Sequence, residues 1–195
     1  MNRVTQKGVQ SGGDTVGRDK ITSHHHHNAP LSLVEKLLES LKTQIENDYH
    51  AKETIAELAR YHSRKSVDGV DGLEAKLTAS GQGAFYDDAI EKKEMFVKLL
   101  DKYALYLSAQ QIFAHFLAKA ENHFNYVIYP DIPNQSVAEI NQKVMTHIVE
   151  PIVEECGCGV FTMTYNHVLG MIYWLAEQCF IRWHGHPVPE GGAVS

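Results

Sequence analysis

A central stretch without helix breakers most constrains how this chain can fold. From Phe85 to Val127 the sequence contains neither glycine nor proline, the two residues that most disfavour a helix interior. Large apolar residues recur through it at steps of three and four, the spacing of one side of an amphipathic helix. The stretch therefore predicts helix, and its aromatic side chains are expected in the core: Phe113, Phe116, Phe124 and Tyr126.

The residues before this stretch continue the helical pattern. Pro30 and Ser32 mark a helix start, and an apolar stripe runs from Leu31 to Ile45. Shorter helices are predicted around 55–61 and 73–77, separated by two Asp-Gly turn signals at 68–69 and 71–72.

The residues after the central stretch predict further helices. Ser136 and Glu139 form a capping box that opens one of them. Pro151 lies inside the apolar pattern that follows and is expected to kink this helix or to end it at Glu150. A final helix is predicted over 164–178.

Together these segments predict an all-α helical bundle with a short non-helical, extended and turn-rich N-terminal segment. The 195 residues fit one domain plus a tail, because domains commonly span about 100–200 residues. No strands alternate with the helices, so an α/β sheet is not expected. The predicted organisation is a glycine-rich extended segment over 1–28, a helical domain over 29–184 and a flexible tail over 185–195.

Composition and charge exclude several classes of protein. The net charge of −6 disfavours nucleic-acid binding, and the four cations of residues 1–27 are too few for strong phosphate contacts. No apolar run approaches the roughly 20 residues that cross a bilayer, and the N-terminus has no apolar leader. Three cysteines cannot all pair within one chain, which favours a reducing cytoplasm.

A glycine-rich stretch near the N-terminus resembles a phosphate-binding loop only superficially. In residues 12–20 the glycines have the right spacing, but Arg18 stands at the lysine position and Asp19 at the Ser/Thr position. Asp14 and Asp19 would also repel phosphates. No nucleotide or other cofactor is therefore expected, and the stretch is interpreted as an extended, turn-rich segment.

Histidines and cysteines suggest a metal site without establishing one. Residues 24–27 are four consecutive histidines, and two further pairs are Cys156 with Cys158 and His184 with His186. Zinc sites favour pairs separated by two to four residues, whereas these pairs are separated by one. No catalytic signature is present either. The sequence thus predicts no catalytic residue and no metal, with a metal-binding sensor or metal-dependent enzyme as the alternative.

Four stretches, taken in order, are similar to the C-terminal domains of bacterial ABC-three-component systems. The first comprises residues 45–50 and 55–58, the second 72–77, the third 89–96 with 108–112, and the fourth 170–175 with 179–183. The resemblance spans 31–184 and implies a component of a system with an ABC-type ATPase and a small middle component. Larger third components carry an N-terminal effector, and 30 residues are too few for one. The resemblance therefore implies a non-enzymatic accessory or adaptor subunit in a conflict system directed against phage.

The segment from Gly170 to Trp183 is the predicted docking surface for these partners. Trp174, Arg182 and Trp183 belong to residue types enriched at interface hot spots. Gly170 would allow close approach of a partner helix or of a neighbouring one. The alternative is that both tryptophans belong to the core of the domain, since large aromatic side chains are mostly buried.

The N-terminal segment also carries a short motif that is similar to one preceding domains of bacterial conflict and defence proteins. Its residues are Gly13, Asp14, Gly17, Arg18, Asp19 and Lys20. Short extended segments of this kind can pair edge to edge with copies of themselves. We therefore expect this segment to promote homo-oligomerisation.

Deletion of residues 1–28 is expected to reduce the mass of the assembly to that of a smaller species. Light scattering coupled to size-exclusion chromatography measures this directly on the full-length and truncated chains. An unchanged number of chains per assembly would contradict the prediction.

Overall fold

All regular secondary structure in residues 30–63 and 69–185, the part that the computed structural model describes, is helical. The α-helices are α1 (Leu33–Glu46), α2 (Ala56–Ala59), α3 (Leu73–Ala79), α4 (Tyr86–Tyr103), α5 (Leu107–His123), α6 (Val137–Val144), α7 (Glu150–Cys156) and α8 (Tyr165–Glu177). Short 3-10 turns follow α2 and precede α4, and π-turns extend α5 and α6. The prediction of an all-α bundle is confirmed for these residues, whereas the predicted N-terminal segment and the tail after Gly185 lie outside them.

Local sequence signals set the beginnings of three helices. The hydroxyl of Ser32 accepts from the Glu35 N–H at 3.2 Å, and the Glu35 carboxylate accepts from the Ser32 N–H at 2.6 Å. The predicted capping box of Ser136 and Glu139 is present in the same form at the start of α6. Thr164 opens α8 with a third box, in which the imidazole of His167 takes the place of a carboxylate. Each box satisfies N–H groups that the helix itself leaves without a partner.

The central stretch is not helical throughout, and this part of the prediction is wrong at residues 104–106. Tyr106 adopts an extended conformation between α4 and α5. The side-chain amide of buried Gln110 donates to the Ala104 carbonyl at 2.7 Å and accepts from the Ile55 N–H at 2.8 Å. The Leu105 carbonyl accepts from the Ala51 N–H at 2.6 Å. These contacts with a distant loop satisfy the backbone groups that the break exposes, so the cause of the break is tertiary.

The aromatic residues of this stretch do not all lie in the core. Phe113, Phe116 and Phe124 are fully buried, as expected. Tyr126 is 80% exposed, so its predicted burial is wrong. It lies in the π-turn Phe124–Ile128, which changes the number of residues per turn after α5 and rotates the following side chains off the helical stripe.

Pro151 does not end the helical path. After α6 the chain continues through the π-turn Met145–Val149, and α7 begins at Glu150 with Pro151 in its first turn. A proline there needs no N–H, because the first N–H groups of a helix have no intrahelical partner. The chain therefore stays helical around Pro151, with a π-turn before it and a new helix that contains it. A kink or an end of the helix was expected there.

Helices α4 and α8 pack directly against each other, and Gly170 is where they meet. A Cβ atom at Gly170 would overlap the carbonyl oxygen of Lys92 and lie 2.6 Å from its carbonyl carbon. The ring of Phe96 packs beside this contact, with its centroid 5.8 Å from that of Trp174 and 5.9 Å from that of Phe113. Gly170 thus brings α8 against α4 of the same chain and places both helices on α5.

Helices α3 and α8 cap each other's ends. The amine of fully buried Lys76 donates to the carbonyls of Ala176 at 2.6 Å and Ile181 at 3.1 Å. The carboxylate of Glu177 accepts from the Leu73 N–H at 2.8 Å. A positive group at a helix C-terminus and a negative group at an N-terminus both complement the helix dipole. The two contacts fix α3 against the end of α8.

Beyond α8 the chain turns back through an uncommon conformation. Cys179 has a φ of 63°, in the left-handed region usually taken by glycine. Its N–H donates to the Ala176 carbonyl at 3.0 Å, and the Phe180 N–H donates to the Leu175 carbonyl at 2.9 Å. This pair of hydrogen bonds is a Schellman motif, and it directs Phe180 and Trp183 back into the core.

Gly170→Ala is expected to destabilise the domain by about 1–3 kcal/mol, because the new methyl group meets backbone that cannot rotate away. Gly159→Ala is the matched control, since a Cβ there has nothing within 4 Å, and we expect a change within about 0.5 kcal/mol. Urea unfolding of both variants measures the difference. Equal stability of the two would contradict the close contact.

Candidate interaction groove

An apolar depression on the described surface lies between α1, α2 and α5. It encloses about 520 Å³. Helix α5 forms its floor with residues at steps of three and four, which therefore lie on one face: Gln111, Ala114, His115 and Ala118. Leu33 and Leu37 of α1 form one wall, and the other wall consists of residues at and after the start of α2: Ile55, Glu57, Arg60 and Tyr61.

Small residues leave this groove open. Ala114 and Ala118 provide only methyl groups, so the walls stand above the floor without meeting. Leu33 is 58% exposed at the edge, and neighbouring Leu31 is 43% exposed. Apolar side chains that converge on an exposed depression are typical of surfaces that bind another molecule. The groove is therefore the candidate functional site of the described residues.

An ion pair closes one end of the groove. The guanidinium of Arg60 donates to both carboxylate oxygens of Glu121, at 2.7 and 2.8 Å, and lies 5.1 Å from the centroid of Phe180. The hydroxyl of Tyr61 donates to the same carboxylate at 2.8 Å. Burial, followed by the hydrogen bond to Glu121, raises the pKa of Tyr61, so the phenol stays protonated and continues to donate. This contact ties the segment after α2 to α5.

A second charged cluster lies beside the groove. Glu155 of α7 is 3.0 Å from Nε2 of His115 and 2.5 Å from Nζ of Lys119. Burial alone would raise the pKa of Glu155, but the contacts with Lys119 and His115 outweigh it, and the net pKa is lowered. The cluster holds His115 on the groove floor and links α5 to α7.

Buried polar side chains hold the walls of the groove, α1 and the residues around α2, against α5, which forms its floor. Ser108 at the start of α5 donates its N–H to the Gln44 amide oxygen at 3.1 Å, and the Gln44 amide donates back to the Ser108 hydroxyl at 2.9 Å. The Ser108 hydroxyl also contacts that of Ser40 at 2.8 Å. Gln110 binds the loop before α2 as described above. Ser108 and Gln110, two residues of the 108–112 stretch, thus have structural roles, and they determine where α1 and α2 lie.

The residues predicted to bind a partner lie mostly in the core. Trp174 is 6% exposed and Trp183 is 2% exposed. Both are core residues, which is the alternative interpretation given above. Arg182 is half-buried and is the most accessible of the three. Gly170 faces the neighbouring helix α4 within the same chain.

The groups considered for the alternative metal site form no cluster within 30–63 and 69–185, where no three His, Cys, Asp or Glu side chains converge on a common point. Cys156 is buried, and burial raises the pKa of its thiol, whereas Cys158 is exposed. The histidines of 24–27, His186 and the N-terminal motif of Gly13, Asp14, Gly17, Arg18, Asp19 and Lys20 lie outside the described residues. Among the helices of the described ranges, none is long and apolar enough to cross a membrane.

Sequence reasoning did not identify the groove. Its floor residues are two alanines, a glutamine and a histidine, and none of these types signals binding by itself. The available signal was the surplus of apolar residues at the start of α1, where Leu31 and Leu33 flank the capping residue Ser32. Leu31 was expected on the apolar stripe, but both leucines are exposed.

Comparison with known families assigns most of the helical region. The family model for C-terminal domain 9 of the ABC-three-component systems matches residues 72–183, more than half of the chain. The resemblance expected over 31–184 is thus confirmed from α3 to the segment after α8, while the stretches at 45–50 and 55–58 precede the match. No curated protein and no solved structure matches the chain.

The contribution of Glu155 to the free energy of unfolding is expected to depend on pH. Because the folded-state pKa of Glu155 lies below its ordinary 4.5, its contribution is present above pH 4.5 and is lost as pH falls below that value. Glu155→Gln is therefore expected to reduce the free energy of unfolding by about 0.5–1 kcal/mol at pH 7. Urea unfolding from pH 7 to pH 3, roughly the range that spans this titration, should show the two chains converge at the acid end.

The exposed neighbour Glu154 supplies the matched control for this change. Glu154→Gln removes the same charge from the same helix without touching Lys119 or His115, and we expect little effect at either pH. Equal losses from both variants at pH 7 would contradict a specific role for Glu155.

Proposed function

The chain belongs to the C-terminal domain 9 family of ABC-three-component systems, and from this premise we propose that it is a non-enzymatic adaptor of such a system. In this proposal it binds the ABC-type ATPase, the middle component or both, in the bacterial cytoplasm, and the system acts against phage. The contact with the partner forms in the groove between α1, α2 and α5.

One observation carries this proposal, namely the open apolar groove with Leu33 58% exposed at its edge. Three helices frame it, and its alanine floor leaves room for side chains that a partner inserts. An amphipathic helix presents apolar residues at steps of three and four and fits a groove of this form. The partner segment is therefore expected to be helical, with an apolar stripe between charged flanks.

The position of the groove relative to the family match indicates how partners are distinguished. Its floor on α5 lies within the matched residues, whereas α1 and α2 precede residue 72. Partner choice in this proposal is made by the walls, through Leu33, Leu37 and Ile55, which precede the residues that the family model matches. Substitutions in the walls are therefore expected to change which partner binds.

The state of the charged groups favours binding over catalysis. Glu121 is engaged by Arg60 and Tyr61, and Glu155 is engaged by Lys119 and His115. A general acid or base must exchange protons with a substrate, whereas these groups hold one another. Elemental analysis of the untagged protein provides an independent check, because stoichiometric zinc would contradict the adaptor and favour a metal-dependent function.

Ala118→Lys is expected to reduce recovery of the partner at least about tenfold, because a charged side chain would occupy the groove floor. The measurement is affinity purification of the C-terminally tagged chain from its native operon, with the ABC-type ATPase and middle component quantified by mass spectrometry. Gln142→Lys, an exposed position of α6 that does not line the groove, adds the same group elsewhere and should leave recovery unchanged.

A further variant separates the groove from the segment after α8. Arg182→Ala tests the docking surface expected from sequence, and thermal melting shows whether each variant keeps its fold. Loss of the partner with Arg182→Ala but not with Ala118→Lys would overturn the groove and restore the earlier surface. Full recovery with a folded Ala118→Lys variant would contradict docking in the groove.

A further inference from the structure

A second, smaller cavity has the features of a site for an uncharged planar molecule. It lies between the turn after α3, helix α6 with its π-turn, and α8, and it has a volume of about 180 Å³. It shares no residue with the groove described above. Binding in this cavity is independent of the proposed adaptor function.

A buried hydrogen-bond donor without an acceptor belongs to a residue that lines this cavity. Trp183 lines it and is 2% exposed, and its indole N–H is buried without an acceptor among the described protein atoms. Buried donors are nearly always hydrogen-bonded, because leaving one without a partner costs the full desolvation of the group. A ligand with an acceptor atom would satisfy this N–H.

Amide side chains supply further polar groups. Gln82 is 4% exposed, and among the described residues its side-chain amide contacts the Ser80 hydroxyl at a long distance of 3.4 Å. Asn141 of α6 lies at the cavity and is half-exposed. Amide side chains each offer a donor and an acceptor, and this is the pair that reads the edge of a nucleobase.

Aromatic rings complete the site. Phe85 lines the cavity and is 53% exposed, so its ring is accessible to a ligand. Tyr173 is stacked on Trp183, with ring centroids 5.5 Å apart and ring planes 26° apart. Planar bases stack favourably on exposed aromatic side chains of this kind.

Charge and size narrow the ligand class. No lysine, arginine, aspartate or glutamate is among the described residues that line the cavity, so nothing there favours a phosphate. Burial raises the pKa of Tyr173 and keeps its phenol neutral. The volume of 180 Å³ far exceeds the roughly 10–15 Å³ that one water needs and falls short of the roughly 300 Å³ where drug-sized pockets begin.

We propose that this cavity binds a free nucleobase, or the base of a nucleoside, stacked on Phe85. Trp183 donates its indole N–H to an acceptor on the ring, and the amides of Gln82 and Asn141 pair with the ring edge. The ligand carries no phosphate at the site.

The test is isothermal titration calorimetry of the full chain with adenine, cytosine and uracil, followed by their nucleosides and nucleoside monophosphates. At least one base is expected to bind with a Kd below about 1 mM. Its nucleoside should bind comparably, and its monophosphate no more tightly. Absence of heat with every base and nucleoside up to about 5 mM would overturn the proposal and leave water as the occupant.

Substitutions of lining residues test whether the base binds in this cavity. Asn141→Ala is expected to weaken it about three- to tenfold, and Trp183→Phe, which removes the N–H but keeps a ring, by a similar factor. Gln142→Ala is the matched control on the next residue of α6 and should not change the Kd. Because Trp183→Phe alters the core, the half-exposed Asn141 keeps the test decisive if that variant fails to fold. Tighter binding of a monophosphate, or a Kd unchanged by Asn141→Ala, would overturn the site.

Discussion

The contact between α4 and α8 at Gly170 is the constraint on which the remaining helices depend. A side chain at this position would overlap the Lys92 carbonyl, so only glycine lets the two helices approach to this distance. Once they do, Phe96 reaches both Trp174 and Phe113, which seats the pair on α5. The end of α8 then exchanges caps with α3 through Lys76 and Glu177. Three of the stretches that carry the family resemblance thus contribute to a single packing unit, which explains why their order and spacing, without any catalytic motif, identify the family.

Helix α5 both positions the neighbouring elements and forms the floor of the groove, and different residues of the helix do each. Ser108 and Gln110 lie at its buried start and bind Gln44 and the backbone of Ile55, which positions α1 and the loop before α2. Its outward face carries Ala114 and Ala118, whose small size keeps the space between those walls open. The same helix therefore fixes the walls and leaves the floor accessible. This arrangement favours a surface that is already formed before a partner arrives, and preorganisation of this kind lowers the entropic cost of binding.

Sequence patterns predicted the helices well where the signal was local. The helix start at Ser32, the capping box at Ser136 and the final helix depend on residues close together in sequence, and the structure has them at the expected places. The break after Tyr103 was missed because it is held by Gln110 and the Leu105–Ala51 contact, which join residues more than fifty positions apart. The exposure of Tyr126 was missed because a π-turn shifts the helical phase after residue 123. The candidate groove was not identified because its floor is defined by small residues, which carry no chemical signature.

The amino-acid sequence by itself determined that this is an all-α chain, where most of its helices begin, and which family its helical region belongs to. Those properties depend on capping residues, apolar periodicity and the order of short stretches, all of which can be read along one dimension. Only the tertiary structure decided that Trp174 and Trp183 are core residues, that Gly170 serves an internal contact, and that an apolar groove stays open on α5. Burial and exposure depend on which elements cover a residue from elsewhere in the chain, and no local pattern contains that information.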